Sequence, residues 1–380
     1  MPISKQGFIM NSIIKYLMYK DIPVARIQGF DVDIIHYERL PFDLRTEGLD
    51  FDMIFHGWTE MRIMNIGRTN AKSITAALGI SQNNTYAYGK LLHFTQFTDC
   101  YWIKDENERL GWKDVNQYDN SLMEQISRVS LTGEAANLKN LVMTNHLHSP
   151  ELGAQGLTAK CLRKEADGLY MYKVSRKEIA ASQILEELEI PHVSYVKADS
   201  EALRDIATEE RLERIEKDGE IISKCKIISD EYRSILPWES FCTFCDLNNK
   251  DPYEELEKYP NSNEFHMMNI ADYIIGNSDR HIGNWGFFVD NELNAIEGLH
   301  PLMDHDHAFS DENLKCQTTN NEITLERAAI DAIRRLGLDP GSLLAKIKTK
   351  PDYITRKEWE GVLRRCGHLK ETFYCKMPSK

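Results

Sequence analysis

With 380 residues and 42% apolar content the chain can bury more than one core, yet stretches such as "MNSIIKYLMY" and "MMNIADYIIG" fall well short of the roughly 18 apolar residues that cross a bilayer. A formal charge of −13 argues against a general binder of nucleic-acid backbone, which needs a basic face to displace counterions, but leaves room for one anionic ligand held by a Lys, a metal ion and oriented N–H groups. "MPISKQGFIM" lacks the apolar core and cleavage site of a secretory signal, and the eight cysteines are scattered as reduced thiols are, so a cytoplasmic, membrane-free protein is expected.

In chain order, "IPVARIQGFDVDIIHYERL" mixes β-branched residues with a Gly-centred reversal and predicts a strand pair. "TNAKSITAALGIS" and "NSLMEQISRVSLTG" predict helices, the first with an Asn or Thr cap and both with a Gly stop. Between them, "TDCYWIKDENERLGWKDVN" has the aromatic and turn content of a short β element. From Glu151 the texture changes. "ELGAQGLTAKCLRKEADGLYMYKVS" predicts a Gly-bearing turn, a strand, a turn at "KEADG" and a second strand ending near Lys173. A helix follows, with Ser175 and Glu178 spaced as a capping box and a Pro before the next strand. "GEIISKCKIISD" is a further strand, and "EYRSILPWESFCTFCDL", "PYEELEKYPNSNEFHMMNIADYIIG" and the tail from Leu325 are predicted mostly helical. Cys242 and Cys245 have zinc-ligand spacing, but aromatic neighbours favour small core residues.

The densest chemistry is "NSDRHIGNWG", residues 277–286. A reversal needs only Gly with one Asn or Asp, so Asp279, His281 and Asn284 point to something held. After the strand "WGFFVD" and a turn comes Asp304 in "HPLMDHDHAF", which brings three oxygen donors to one end of a small sheet. Mg²⁺, or Mn²⁺ in its place, takes such oxygen ligands, usually with phosphate oxygens completing the set. Upstream, Gly153 and Gly156, then Lys173 on a strand, then Glu178 on a helix follow the order of a kinase phosphate loop, its lysine and the glutamate that fixes it.

"ELGAQGLTAK", "LYMYKVS", "IADYIIGNSDRHIGNWGFFVD" and "LHPLMDHDHAF" resemble the HipA-like serine/threonine kinases. "YKDIPVARI", "WTEMRIMNIGR" and "FTDCYWIKDENERLGWKDVN" resemble the N-terminal region of members common in Firmicutes. The resemblance implies an α+β, bilobal, protein-kinase-like fold with a mixed, β-rich N-lobe and a mainly helical C-lobe. In that reading residues 1–140 are an N-terminal α/β extension, 141–232 the N-lobe and 233–380 the C-lobe.

The same resemblance implies ATP- and Mg²⁺-dependent transfer to Ser or Thr hydroxyls of a protein, autophosphorylation on the Gly loop or near Ser149, and a separately encoded antitoxin-like partner. Asp279 would be the catalytic aspartate, Asn284 and Asp304 metal ligands, and Lys173 the ATP-phosphate contact. Gly153, Gln155, Gly156 and Thr158 would cradle phosphate, with Glu178 behind Lys173. Cys225 and Ile227 would lie in the adenine-contacting hinge, with Asp246 as an alternative ribose contact, and His281 would brace the catalytic loop. Arg280 would pair with an acidic neighbour or a phosphorylated residue. Leu157 stands where some members have a loop Lys, for which Lys160 is the substitute, and Asp306 reads as a hydrated loop residue beside His305 and His307. The alternatives are a metal-dependent phosphohydrolase built on the His/Asp cluster and a nucleotide-binding pseudokinase.

Overall fold

The computed structural model describes residues 14–29, 31–45, 51–140, 148–311, 314–319 and 322–375; the stretch weighed as a secretory signal lies outside them. Strands β1 (Lys15–Tyr19), β2 (Ile22–Gln28) and β3 (Asp31–Ile34) come first, then helices α1 (Phe51–Glu60), α2 (Ala71–Leu78) and α3 (Thr85–Leu91), then β4 (Tyr101–Asp105). They form one antiparallel sheet in the order β3-β2-β1-β4. Helices α4 (Trp112–Val115) and α5 (Glu124–Thr132) complete this part. Leu17, Val24 and Trp102 from the sheet meet Ile74 and Leu78 of α2 and Ile126 and Val129 of α5 in one core. The expected side-chain cap on α2 is absent: Asn70 sits at φ 68 and its amide donates to the Ser130 and Leu131 carbonyls, fastening α2 to the end of α5.

The second sheet begins with the hairpin β5 (Lys160–Glu165) and β6 (Gly168–Val174). Helix α6 (Lys177–Glu187) leads to β7 (Tyr195–Lys197), and α7 (Ser200–Leu203) and α8 (Glu209–Lys217) to β8 (Ile222–Lys226), giving the order β5-β6-β8-β7. The third element group holds β9 (Arg233–Pro237), α9 (Trp238–Leu247), α10 (Pro252–Leu256), α11 (Asn263–Ile275), β10 (Gly286–Asp290) and β11 (Ala295–Leu299). Arg233–Pro237, expected as helix, is a strand because it pairs with β10, a partner about fifty residues away that local periodicity does not reveal. Gly286 is required at that pairing: a Cβ there would lie 2.1 Å from the Leu236 carbonyl oxygen. Trp238 and Trp285 stack beside it, ring centroids 4.3 Å apart.

Helices α12 (Leu325–Leu336), α13 (Pro340–Leu344) and α14 (Arg356–Cys375) close the chain around α11, and Ala180, Ile184 and Leu185 of α6 join the same core. Cys245 is buried there and Cys242 half-buried against it. Among the described residues no helix is long and apolar enough to cross a membrane. The first sheet docks on the third: the Ile235 N–H donates to the Thr98 carbonyl at 2.8 Å, the Ser229 hydroxyl to the Phe97 carbonyl at 2.6 Å, and the Tyr19 hydroxyl to the Asn291 carbonyl.

Arg176, just before α6, donates Nη1 and Nη2 to the two oxygens of Glu358 on α14, each at 2.9 Å. Burial would raise the Glu358 carboxyl, but Arg176 and the Thr355 N–H and hydroxyl pull it down to about 2. A folded-state value below the unfolded one means stabilisation that is full above the unfolded pKa and lost as pH falls toward the folded one. We expect Glu358→Gln to lose about 1–2 kcal/mol in urea unfolding at neutral pH, allowing for solvent screening. The gap between variant and parent should then close as pH drops from about 4.5 toward 2.

Candidate active site

The β5–β6 hairpin delivers Lys173 to the interior, and the short link into α6 brings Glu178 over it. The Lys173 ammonium donates to Glu178 Oε1 at 2.7 Å, bonds Asp304 Oδ1, and lies 3.0 Å from Asp306 Oδ2. Lys173 and Glu178 are buried. Burial alone would strip Lys173 of its proton; Asp304, then Glu178 and Asp306, reverse this and hold its pKa well above the ordinary value. Burial also works against the charge on Asp304, but Lys173 and Lys160 hold its carboxyl far below the usual range. Glu178 moves the other way, pushed up by burial and by its two acidic neighbours despite Lys173, because three carboxylates share one ammonium. The capping box expected at Ser175 does not form. Helix α6 starts without a side-chain cap, and the Glu178 oxygens go instead to Lys173 and to the His305 N–H, the latter at 2.7 Å.

The loop bearing Asp279 leaves α11 at Gly276, whose φ of +62 turns the chain where a Cβ would meet the Ser310 carbonyl oxygen at 2.8 Å. Asn277 then accepts the Asp279 N–H at 3.1 Å and donates its amide to Asp272 at 3.1 Å. Arg280 points inward and is 1% exposed. Its Nε donates to Asp272 Oδ2 at 3.0 Å and its Nη2 to Asp272 Oδ1 at 3.1 Å, while Nη1 donates to the Asn284 and Met303 carbonyls and Nη2 also to His305 Nδ1. Because a guanidinium only donates, His305 Nδ1 accepts, and burial with the Arg280 charge keeps this imidazole neutral, its pKa well below normal.

Backbone bonds fasten the same loop to residues 305–310: Ser278 N–H to His307 O at 3.3 Å, Phe309 N–H to Ile275 O at 2.7 Å, and Ser310 N–H to Gly276 O at 3.0 Å. Asp279 and Asp304 therefore ride on two loops held edge to edge. Asn284 donates its amide to the Asp279 carbonyl at 2.9 Å, and the half-buried Asp279 carboxylate is bonded by none of the described residues.

Several expectations change on contact with this geometry. His281 is exposed, its ring accepting the Gly283 N–H at 3.0 Å and its carbonyl the Asn284 N–H at 2.9 Å; the side-chain brace is its neighbour Arg280, paired with the acidic Asp272. Asp306, expected as a hydrated loop residue, accepts the Thr158 hydroxyl at 2.6 Å and flanks Lys173. Gln155, expected at phosphate, sends its amide the other way, to the Met61 and Ile63 carbonyls at 2.9 and 2.5 Å. Ile227 gives its N–H to the Leu169 carbonyl at 2.8 Å, so that group is not free for adenine; Cys225 is buried on β8, and Asp246 is exposed on α9. Ser149 is fully buried with its hydroxyl on Glu151, which does not present it as a phosphoryl acceptor.

Gly153 and Gly156 both lie in the loop before β5, Gly156 at φ +85 with the Lys160 amine where its Cβ would stand. Lys160 itself donates to the Gln155 carbonyl at 2.6 Å, and burial followed by the adjacent Lys173 charge lowers it to about 8. The sequence signal for Arg280 was weak, since a buried arginine in a polar loop looks like a solvated one. Lys160 was more accessible, because counting outward from the Glu165–Gly168 turn pairs it with Lys173.

Glu178, Asp304 and Asp306 each place an oxygen within 4.8 Å of the others, the one such group of His, Cys, Asp or Glu among the described residues. These hard oxygen donors suit Mg²⁺ or Mn²⁺, and histidine takes no part.

No family model and no curated protein sequence matches the chain. A crystal structure of HipA with HipB and operator DNA from Shewanella oneidensis MR-1 superposes with a TM-score of 0.50 at 10% identity, covering 96% of this chain and 92% of that one. The proinflammatory kinase CtkA of Helicobacter pylori aligns over 56% of this chain and 90% of its own at 15% identity, with a TM-score of 0.38. The fold is α+β and kinase-like.

Arg280 and Asp272 are both buried, so removing one leaves the other charged and unpaired. Arg280→Met should lower unfolding stability by about 3–5 kcal/mol, measured in urea, and adding Asp272→Leu should recover part of the loss.

Proposed function

We propose that this chain is an ATP- and Mg²⁺-dependent kinase that phosphorylates Ser or Thr hydroxyls of a protein. The observation that carries the reading is the Lys173 ammonium gripped at once by Glu178 and Asp304, beside a loop in which no described residue bonds the Asp279 carboxylate. Lys173 would keep Glu178 and exchange its other carboxylate partners for phosphate oxygens. Asp279 would accept a hydrogen bond from the acceptor hydroxyl, orienting its oxygen in line with the terminal phosphoryl group and taking its proton as the oxygen–phosphorus bond forms and the bond from that phosphorus to the departing ADP breaks. Asp304, with Asn284 and the adjacent Asp306, would hold the cation. When bound, that cation neutralises charge on the phosphoryl oxygens. Arg280 serves by fixing the two loops.

A phosphohydrolase built on the His/Asp cluster would need the histidines as ligands, whereas the donor group among the described residues is all carboxylate. That HipA is found with HipB supports, as a further part of the proposal, a separately encoded antitoxin-like partner for this chain.

Incubation with labelled ATP, Mg²⁺ and a generic protein substrate should show transfer by the parent protein. Asp279→Asn should reduce it by about 10³-fold or more while ATP still binds. Equal transfer by both proteins would remove Asp279 from its role, and release of phosphate without any acceptor would favour hydrolysis.

A further inference from the structure

The loop before β5 divides its backbone groups by direction. The Glu151 carbonyl accepts from Arg68 Nη1 at 2.9 Å, the Leu152 carbonyl from the Met64 N–H at 2.7 Å, the Gly153 carbonyl from Gln96 Nε2 at 2.9 Å, and the Leu157 carbonyl from the Thr69 N–H at 2.8 Å. The Gln155 side chain crosses to the same segment and the Gln155 carbonyl is taken by Lys160. By contrast the N–H groups of residues 154–158 donate to none of the described residues. A peptide run with the carbonyls of Gln155 and Leu157 occupied, those of residues 151–153 occupied just before it, and successive N–H groups left to donate elsewhere forms an anion-binding concavity, and its Gly positions give it no stiffness of its own. Stiffness has to come from outside.

The segment that supplies it, residues 61–69, is irregular but firmly rooted between α1 and α2. Arg62, 4% exposed, donates to the Phe94 carbonyl at 2.6 Å, grips both Asp99 oxygens at 2.7 Å and stacks 4.1 Å over Trp58. The approach to the loop is close: a Cβ on Gly153 would lie 3.3 Å from the Thr95 carbonyl oxygen and 3.4 Å from that of Arg62.

We infer that residues 61–69 together with Gln96 form a strap that positions the 153–158 loop to receive a polyphosphate. Gln96 and Gln155 are thus positioning residues that act through the loop. The inference rests on the nucleotide reading for the identity of its anion and adds to it a task for the N-terminal part of the chain: holding the carbonyls of the loop back so that its N–H groups are left for phosphate. Loss of the strap returns the loop to an ensemble in which few members can bind, and apparent affinity falls by the fraction remaining competent.

The test uses the full chain and the variants Gln96→Leu and Gln155→Leu, with calorimetric binding of ATP, inorganic tripolyphosphate and adenosine. Each variant is expected to weaken ATP and tripolyphosphate by roughly tenfold and to leave adenosine unchanged. Amide exchange of Met64 and Thr69, whose N–H groups enter the loop, should quicken in nucleotide-free variants while the melting temperature stays within a few degrees. Unchanged ATP and tripolyphosphate binding in both variants, with the parent binding normally, would overturn the strap and leave the kinase reading standing. An equal loss of adenosine affinity would also overturn it, since the effect would then be general. A parent protein that binds neither ATP nor tripolyphosphate would overturn the anion loop and the nucleotide reading together.

Discussion

One buried ammonium organises this molecule. Lys173 is reached by a glutamate from α6 and by two aspartates from the loop after β11, so a hairpin, a helix and a distant loop share a single charge. Burying that ammonium or the Glu178 carboxylate without a partner of opposite charge would be costly. The hairpin, the helix and the loop are thereby tied to one another by this charge as well as by apolar packing.

Around this centre the polar architecture is layered. Arg280 joins Asp272 on α11 to the backbone of the two acidic loops and to the His305 ring, and the His305 backbone N–H donates to Glu178. A continuous run of hydrogen bonds thus connects the helix beneath Asp279 to the helix beneath Lys173. In a low-dielectric interior such a run favours one arrangement over many, which is the rigidity that in-line phosphoryl transfer would require.

Much of this was legible in the sequence, because the signals were local. Turn residues and alternation predicted the β5–β6 hairpin, the Gly stops of α2 and α5 mark their ends, and the polar cluster at 277–284 stood out against its apolar flanks. The failures share a cause, which is competition between a local partner and a remote one. Glu178, read both as a cap for its helix and as the partner of Lys173, takes the second role and gives its other oxygen to the distant His305 N–H; Asn70 could cap α2 but reaches α5; Arg233–Pro237 could continue as helix but pairs with β10. Gln155 and Asp306 were misplaced for the same reason, since Met61, Ile63 and Thr158 are distant in sequence.

The bond from the Thr158 hydroxyl to Asp306, set beside the Lys173 contacts, has a thermodynamic corollary. The Lys173 ammonium already answers carboxylates from three sides, with the acidic groups in excess. A divalent ion arriving alone would confront an ammonium among its ligands, and a nucleotide arriving alone would confront carboxylates. Arriving together, as the proposed kinase activity would have it, each would relieve the repulsion felt by the other, and their affinities would be linked reciprocally.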